Sequence, residues 1–284
     1  MNLEENRQFH WRLSSIIAVM LAVGCAGSVT EDQPTPVARF MYRPFTSTTY
    51  YGITQGRVQQ EFDGQLAASD FGLRFYISAQ VAAADENLES VLVLDSITQL
   101  AGLQSGILQS QLDSARGATF SGLLSPDGTL HSFAGSDSAG SVARELADRF
   151  LSRFFPRIPA DGAAPGSEWR DTVETRSRVS GADNSVLLFN HHQAVAWGLH
   201  RGERALQITT QTDYTFHGSG VLVGQDFMLE GEGRRHATHF LAEDGRPLGS
   251  YAADTSEAEA SLTAAGIVIP VHQTRTDTLE IVNH

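Results

Sequence analysis

Histidine is the residue type in this chain with the clearest capacity for metal chemistry. Nine of the ten histidines follow residue 25, and four of them form the close pairs His191–His192 and His236–His239. A zinc ion needs three or four ligands at about 2.0–2.2 Å. Successive side chains of a β-strand point to opposite faces, so the members of each pair diverge if these segments are strands. His200 or Asp213 could add a ligand through folding, but we interpret the histidines as surface or hairpin-end residues and predict no metal site.

Acidic pairs are the second candidate for chemistry, because two carboxylates can act as general acid and general base. Glu230 and Glu232 would share one face of a strand, and Asp70 and Asp85–Glu86 are further candidates. The chain has 33 acidic residues, so pairs of this kind arise without any function. It contains neither a Gly-x-Ser-x-Gly nor a Gly-x-Gly-x-x-Gly motif. We therefore predict that the protein is not an enzyme and uses no cofactor.

The only cysteine, Cys25, ends a short apolar segment near the N-terminus. Arg7 and Arg12 precede the 11 apolar-rich residues Leu13–Val23, whereas a helix needs about 20 residues to cross a bilayer. Basic residues followed by a short apolar run are typical of a secretory signal peptide. The sequence Leu21-Ala-Val-Gly-Cys25 resembles the lipobox of bacterial lipoproteins. That resemblance implies cleavage before Cys25 and acylation of its thiol and of the new amine.

We therefore predict a signal peptide at 1–24, a lipidated tether at 25–36 and attachment to a bacterial membrane through acyl chains on Cys25. Several acyl chains would hold the protein stably in the membrane, since each buried CH₂ contributes about 0.8 kcal/mol. The residue directly after the cysteine is Ala26 and not Asp, which favours the outer membrane if the host has one. The domain would then face the periplasm or the exterior. An ordinary secretory peptide is the alternative.

The charge balance excludes several classes of partner and of chemistry. The chain has 284 residues and a net charge of −13, and all 20 basic residues are arginines. A nucleic-acid binder needs a basic surface, so we predict no nucleic-acid partner. Without lysine the chain has no side-chain amine for a Schiff base, and with one cysteine it cannot form an internal disulfide.

Most of the chain after residue 45 has the alternation that is typical of β-strands. In Phe71–Val81, apolar residues alternate with polar or small ones over eleven positions. A hairpin is predicted around the turn Ser125–Gly128, and further turns are predicted at Gly181–Asn184, Arg201–Glu203, His217–Gly220 and Glu243–Gly245. The other predicted strands are Thr46–Val58, Val91–Thr98, Glu168–Val179, Val186–Phe189, Gln193–Leu199, Ala205–Phe216, Val221–Val223, Arg235–Leu241, Pro247–Ala252, Gly266–His272 and Thr276–Val282.

Helical periodicity is confined to a few segments. Ser141–Phe155 has an apolar stripe opposite a charged face and predicts an amphipathic helix. Gln104–Ala115 is a weaker candidate, and Ser256–Glu259 could begin a short capped helix. A Pro/Gly-rich joint near 157–166 divides the β-rich domain, 37–284, into halves of about 37–156 and 165–284. The predicted fold is mainly β (β-rich α+β): two related antiparallel halves forming a sandwich or an open-barrel-like sheet, with one or two amphipathic helices packed on it.

Several short motifs carry a family resemblance. The chain resembles a group of bacterial exported proteins of unknown function in Phe120–Leu123 with Asp127–Leu130, in Phe155–Pro159 with Pro165–Trp169, and in Gly231–Gly233 with Asp244–Gly245. That group has a Pro…Gly-x-x-Trp joint between two β-rich halves. The resemblance spans about 45–282. It implies a two-part β-rich fold, but it implies no activity and assigns no catalytic residue.

Three classes of function remain open. The first is a non-catalytic binding or carrier module for an apolar ligand, on an exported, membrane-anchored lipoprotein. The second is a structural or interaction subunit of a cell-envelope complex, which would have a large exposed apolar patch. The third is a metal-dependent enzyme, which would need three His or carboxylate side chains around one point. We rank them in this order.

Overall fold

The computed structural model of the protein describes residues 39–103, 109–135, 154–179, 182–222, 225–262 and 266–282. The predicted signal peptide, Cys25 and the tether lie outside the described residues. The predicted helix Ser141–Phe155 also lies outside the described residues, apart from Phe154 and Phe155. Residues 37–284 form one compact unit.

Long strands make up most of the described residues. The strands are β1 (Phe45–Phe62), β2 (Gln65–Ala84), β3 (Asn87–Gln99), β4 (Thr119–Leu124), β5 (Leu130–Gly135), β6 (Glu168–Val179), β7 (Ala182–His200), β8 (Glu203–Leu222), β9 (Gln225–Ala242), β10 (Pro247–Leu262) and β11 (Ile267–Ile281). One helix is described, α1 (Gln109–Ala115), which packs on β3 and buries Leu112. It confirms the second half of the weaker helix prediction. Over the described ranges, no helix has the length and apolar character needed to cross a bilayer.

The strands form one antiparallel sheet in the order β5-β4-β3-β2-β1-β11-β10-β9-β8-β7-β6. The first and last strands pair in its middle, where Thr54 lies opposite Asp277. The sheet is therefore two sequential meanders joined by the terminal strands, and it curls into a half-barrel. This arrangement confirms the prediction of a mainly β chain with an open-barrel-like sheet.

One face of the sheet, the inner face, carries the core. At one end of this face two chain segments, 39–43 and 154–166, pack over the strands; we call it the covered end. The buried Tyr50 ring meets Phe154 edge-on at 4.8 Å, and its hydroxyl donates to the Pro247 carbonyl at 2.9 Å. The Tyr42 hydroxyl donates to the Pro156 carbonyl at 2.6 Å. At the opposite end, the hairpin end, the β1–β2, β6–β7, β8–β9 and β10–β11 connections turn.

Three of the predicted turns join the strands as expected. In the turn at Ser125–Gly128, the Gly128 amide donates to the Ser125 carbonyl at 2.9 Å. Gly128 and Gly245 have positive φ angles of 82° and 92°, which a side chain disfavours. A Cβ on Gly245 would also lie 2.5 Å from the backbone nitrogen of Arg43. The turn at Arg201–Glu203 is confirmed as well.

Three local predictions are wrong. Ala182–Asn184, predicted as part of a turn, lies inside β7 and pairs with β6. Ser256–Glu259 is not helical, because it pairs with Glu230–Gly233 in the ladder between β9 and β10. His217–Gly220 is not a turn, because it lies inside β8. A Cβ on Gly220 would lie 2.9 Å from the Ala182 Cα atom, so this glycine permits close strand contact.

Several strands are longer than predicted. Val186–Phe189 and Gln193–Leu199 are parts of one strand, β7, and the two last predicted segments are parts of β11. The polar residues between the two predicted segments of β7 pair with both neighbouring strands. Asn190 lies opposite Asp171 on β6 and opposite Thr212 on β8. Hydrogen bonding across both neighbours continues the strand where the apolar pattern stops.

The ladder between β9 and β10 places like charges directly opposite each other, which gives the first testable prediction. Glu259 faces Glu230 on the outer face and has Pro270 on its other side. Like charges directly opposite each other destabilise a sheet. Glu259→Gln should therefore raise the free energy of unfolding by a few tenths of a kcal/mol, measured as a higher urea midpoint. The gain should shrink in high salt. A gain that is independent of salt would contradict the electrostatic explanation.

Candidate functional site

The histidines separate between the two faces of the sheet. His191 lies on the outer face, with Nε2 3.4 Å from the Glu168 carboxylate, whereas His192 is 4% exposed on the inner face. His236 is exposed, whereas His239 is 8% exposed on the inner face. The divergence predicted for both pairs is confirmed. The prediction of surface histidines is wrong for His192 and His239, since long strands carry them into the core side of the sheet.

The two residues considered as additional metal ligands do not lie beside the histidine pairs. His200 stacks on Phe240 at 3.9 Å between ring centroids, and Asp213 pairs with Arg234 on the outer face. Burial, with Arg201 adding to it, lowers the pKa of His200. In the described ranges, no three His, Cys, Asp or Glu side chains are placed to hold a metal ion.

The acidic candidates also lie apart. Glu230 and Glu232 share the exposed outer face of β9, as their spacing predicted. Asp70 accepts a hydrogen bond from Arg57 Nε at 2.7 Å on the surface. Hydrogen bonding by Arg57 lowers the pKa of Asp70.

Polar side chains instead form a continuous row across the inner face, which sequence reasoning missed. The register aligns one inward residue from each of six neighbouring strands. We call this set the polar row: Asp171, Asn190, Thr212, Arg235, Asp254 and Arg275. It crosses the face between the covered end and the hairpin end.

The β6–β8 part of the row is fully hydrogen bonded. The ring nitrogens of His192 contact Thr210 Oγ1 at 2.9 Å and Asp171 Oδ2 at 3.0 Å. Asn190 donates to Asp171 Oδ1 at 2.6 Å and accepts from Thr212 Oγ1 at 2.7 Å. Burial favours a higher pKa for Asp171, but the hydrogen bonds from His192 and Asn190 leave this pKa below its ordinary value. These hydrogen bonds link β6, β7 and β8, and none of these five side chains has a buried polar atom without a partner.

The β10–β11 part is an ion pair supported by a phenol. Asp254 accepts from the Tyr214 hydroxyl at 2.6 Å and from Arg275 Nη2 at 3.1 Å. Burial, and then the Asp254 carboxylate, raise the pKa of Tyr214 to about 12. Tyr214 therefore stays protonated and acts as a donor.

Arg235 is the poorly satisfied member of the row. Its side chain is 14% exposed, and its ion pair is with Asp277, at 3.4 Å from Nη1. Asp277 also receives a hydrogen bond from Thr54 at 2.7 Å and lies 3.4 Å from Arg275 Nε. Neither Arg235 Nη1 nor Arg275 Nε makes a hydrogen bond. Burial lowers the pKa of Arg235, while Asp277 opposes that shift.

Beyond the polar row, towards the hairpin end, the inner face becomes apolar. Its inward side chains are half-buried, in contrast to the fully buried Leu206, Leu241 and Leu248 of the covered end. We call this region the apolar inner surface: Val58, Val173, Val186, Leu188, Phe216, Phe227, Leu229, Ala258, Ala260, Ile267, Ile269 and Val271.

Two glycines shape this surface. A Cβ on Gly231 would lie 2.5 Å from Phe216 Cζ, and one on Gly233 would lie 2.4 Å from the Tyr214 ring. The aromatic rings therefore lie directly over the glycines of the next strand. They form part of the floor next to the polar row.

The outer face has an open depression of about 630 Å³ near the same end, lined by Arg176, His217, Met228 and Glu230 among others. Its charged groups are on the surface, and His217 Nδ1 lies 3.6 Å from Glu230. It lacks the buried donors and the continuous apolar lining of the inner face, so we take the inner face as the candidate site.

Comparison with known proteins assigns no family. No protein-family model matches the chain, and no curated protein matches it. The resemblance to exported proteins with two β-rich halves therefore remains a prediction.

Three solved structures are weakly similar. Pseudomonas aeruginosa OccK2 (OpdF) has 8% identity and a TM-score of 0.25, covering 84% of this chain and 98% of that one. OmpTdeltaL8, a loop-deletion mutant of an outer membrane protein of Vibrio cholerae, has 7% identity and a TM-score of 0.18, covering 84% and 100%. A DUF1329 family protein from Desulfovibrio piger has 11% identity and a TM-score of 0.12, covering 84% and 85%. TM-scores of this size do not establish a shared fold.

Proposed function

We propose that this protein is an exported bacterial lipoprotein, held to a cell-envelope membrane by acyl chains on Cys25, whose β-rich domain binds and carries an apolar ligand without catalysis. The outer membrane is the favoured site in a host that has one. The observation that supports the carrier role is the apolar inner surface, which spans β6–β11 and β1 and is only half-buried.

The chemistry of this surface suits a small apolar ligand. Ligand sites are concave and mostly apolar, with a few polar groups that set orientation. Here the aliphatic and aromatic side chains lie on the inside of a curled sheet and are bordered by the polar row. A ligand covering them would complete their burial, and each buried CH₂ would contribute about 0.8 kcal/mol.

The interaction-subunit alternative has less support. Apart from two small aromatic contacts, Tyr51–Tyr76 and Phe240–Tyr251, large exposed apolar side chains on the outer face lie among polar neighbours. Phe189, 49% exposed, lies between Thr172 and Asp213. Met228, 47% exposed, lies between Ser219 and Ser261. Scattered residues of this kind are usual on a soluble surface and do not form a docking patch.

Photo-crosslinking in the host membrane tests the carrier function on the full chain. Ile269 of the apolar inner surface would be replaced by p-benzoylphenylalanine. The matched control is the same replacement at the adjacent Val268, which is 55% exposed on the outer face. After irradiation of intact cells, the adducts are identified by mass spectrometry. We expect lipid-sized adducts at position 269 and none at position 268.

The other outcomes oppose the proposal. Protein-sized adducts at position 268 would favour the interaction subunit. Adducts joining position 269 to another part of this chain would mean that the protein fills its own apolar surface. No adduct at either position would also overturn the carrier function.

A further inference from the structure

We propose that the ligand is an anionic amphiphile, whose chain lies on the apolar inner surface and whose carboxylate or phosphate oxygens accept hydrogen bonds from Arg235 and Arg275. This inference rests on the proposed function and adds the chemistry of the headgroup. It is carried by the position of the two guanidinium groups and by their unsatisfied donors.

Arg235 lies at the boundary between the apolar inner surface and the buried core. On β9, the half-buried inward positions from Phe227 to Gly233 lead directly to Arg235. The next inward positions, Ala237, His239 and Leu241, are buried. A chain lying along the surface would therefore bring its head to the guanidinium group and could extend no further.

The donors at this point outnumber the acceptors. Two guanidinium groups carry ten N–H donors between them, and Asp254 and Asp277 offer four oxygens. Tyr214 and Thr54 already donate to one oxygen of each carboxylate. Arg235 Nη1 and Arg275 Nε both face one oxygen, Asp277 Oδ2, at 3.4 Å, and neither makes a hydrogen bond. A ligand that brings acceptors to the other N–H groups of these guanidinium groups would relieve this shortage, because donors are costly to leave unpaired.

Another partly buried arginine of this chain shows how such a group is normally satisfied. Arg246 contacts Glu203 at 2.6 Å and Asp244 at 2.7 Å, with a separate carboxylate for each contact. Arg235 has one carboxylate, at 3.4 Å, which it shares with Arg275. A carboxylate or phosphate headgroup would supply the missing partner through charge-assisted hydrogen bonds, which are about twice as strong as neutral ones.

Labelled amphiphiles in vesicles test this headgroup specificity. The full-length protein with p-benzoylphenylalanine at position 269 is reconstituted into phosphatidylcholine vesicles. These contain a trace of radiolabelled oleate, 1-oleoyl lysophosphatidate or oleyl alcohol, and label on the protein is counted after irradiation. At equal mole fraction, we expect at least one anionic probe to label the protein about tenfold more than the alcohol does.

Two adjacent arginines provide matched variants in the same background. Arg235→Gln should reduce labelling by the anionic probe about tenfold and leave labelling by oleyl alcohol unchanged. Arg234→Gln, one residue away on the exposed outer face, should change neither. If Arg235→Gln fails to fold, Arg235→Lys keeps the charge but loses the planar fork, and it should retain a preference for the anionic probe.

The outcomes separate the inference from the function on which it rests. Equal labelling by oleate, lysophosphatidate and oleyl alcohol would overturn the anionic headgroup while leaving an apolar carrier. No labelling by any probe would overturn the carrier function as well. Binding of inorganic phosphate that is lost in Arg235→Gln, with lysophosphatidate labelling no greater than oleyl alcohol labelling, would mean that the arginines bind free phosphate and would overturn the amphiphile. A preference for oleate or for lysophosphatidate identifies the headgroup as carboxylate or phosphate.

Discussion

Asp277→Asn is expected to destabilise the protein by about 3 kcal/mol. Asp277 is the carboxylate paired with Arg235, and it also contacts Arg275 and accepts from Thr54. Asparagine would keep the shape but remove the charge. Arg235 and Arg275, 14% and 15% exposed, would then share the one remaining carboxylate of the cluster, that of Asp254. Removing one partner of a buried pair is costly because the remaining charge stays desolvated.

Urea denaturation of the full chain, followed by tryptophan fluorescence, measures this loss as a lower midpoint with an unchanged slope. The matched control is Asp213→Asn, which breaks the exposed pair with Arg234 on the outer face. It should leave the midpoint nearly unchanged, because exposed ion pairs contribute little. The double variant Asp277→Asn/Arg235→Met should recover much of the loss. Equal effects of the two asparagine variants would contradict the account.

The sequence predicts where strands occur more accurately than it predicts where each strand begins and ends. Strand β6 has the predicted bounds, Glu168–Val179, because a Pro/Gly-rich joint precedes it and strand-forming residues fill it. Trp169 near its start donates from Nε1 to the Arg157 carbonyl in that joint, at 3.1 Å. Strands β8 and β10 extend beyond their predicted ends, because small and polar residues inside a strand resemble turn residues until their ladder partners are known.

The candidate site was not predicted, although part of its signal is in the sequence. In β11, the alternate residues Ile267, Ile269 and Val271 continue through Arg275 and Asp277 to the buried Ile281. A charged pair inside an inward-facing apolar series indicates a buried ion pair. Its partners come from other strands, so only the register could bring Arg235 and Asp254 beside Arg275. Single-sequence reasoning does not give the register.

The stability of the protein should depend on pH through His239. Burial lowers the pKa of His239 to about 3, and the charges of Arg235 and His192 add to this shift. An unfolded histidine has a pKa near 6.5. Below that pH, the unfolded chain binds a proton that the folded chain does not. Stability is therefore full above pH 6.5 and falls as the pH drops towards 3, by about 2–3 kcal/mol between pH 7 and pH 4.5.

Two variants isolate this contribution from the titration of the carboxylates. His239→Gln removes the buried imidazole, so its unfolding free energy should fall less steeply between pH 7 and pH 4.5 than that of the unmodified protein. His236→Gln, three residues away on the exposed outer face, should follow the unmodified curve. Urea midpoints at pH 7, 5.5 and 4.5 give the three slopes. Parallel curves for all three proteins would mean that the imidazole of His239 is protonated in the folded state as readily as in the unfolded chain. Its burial would then exert no control over the acid sensitivity of the fold.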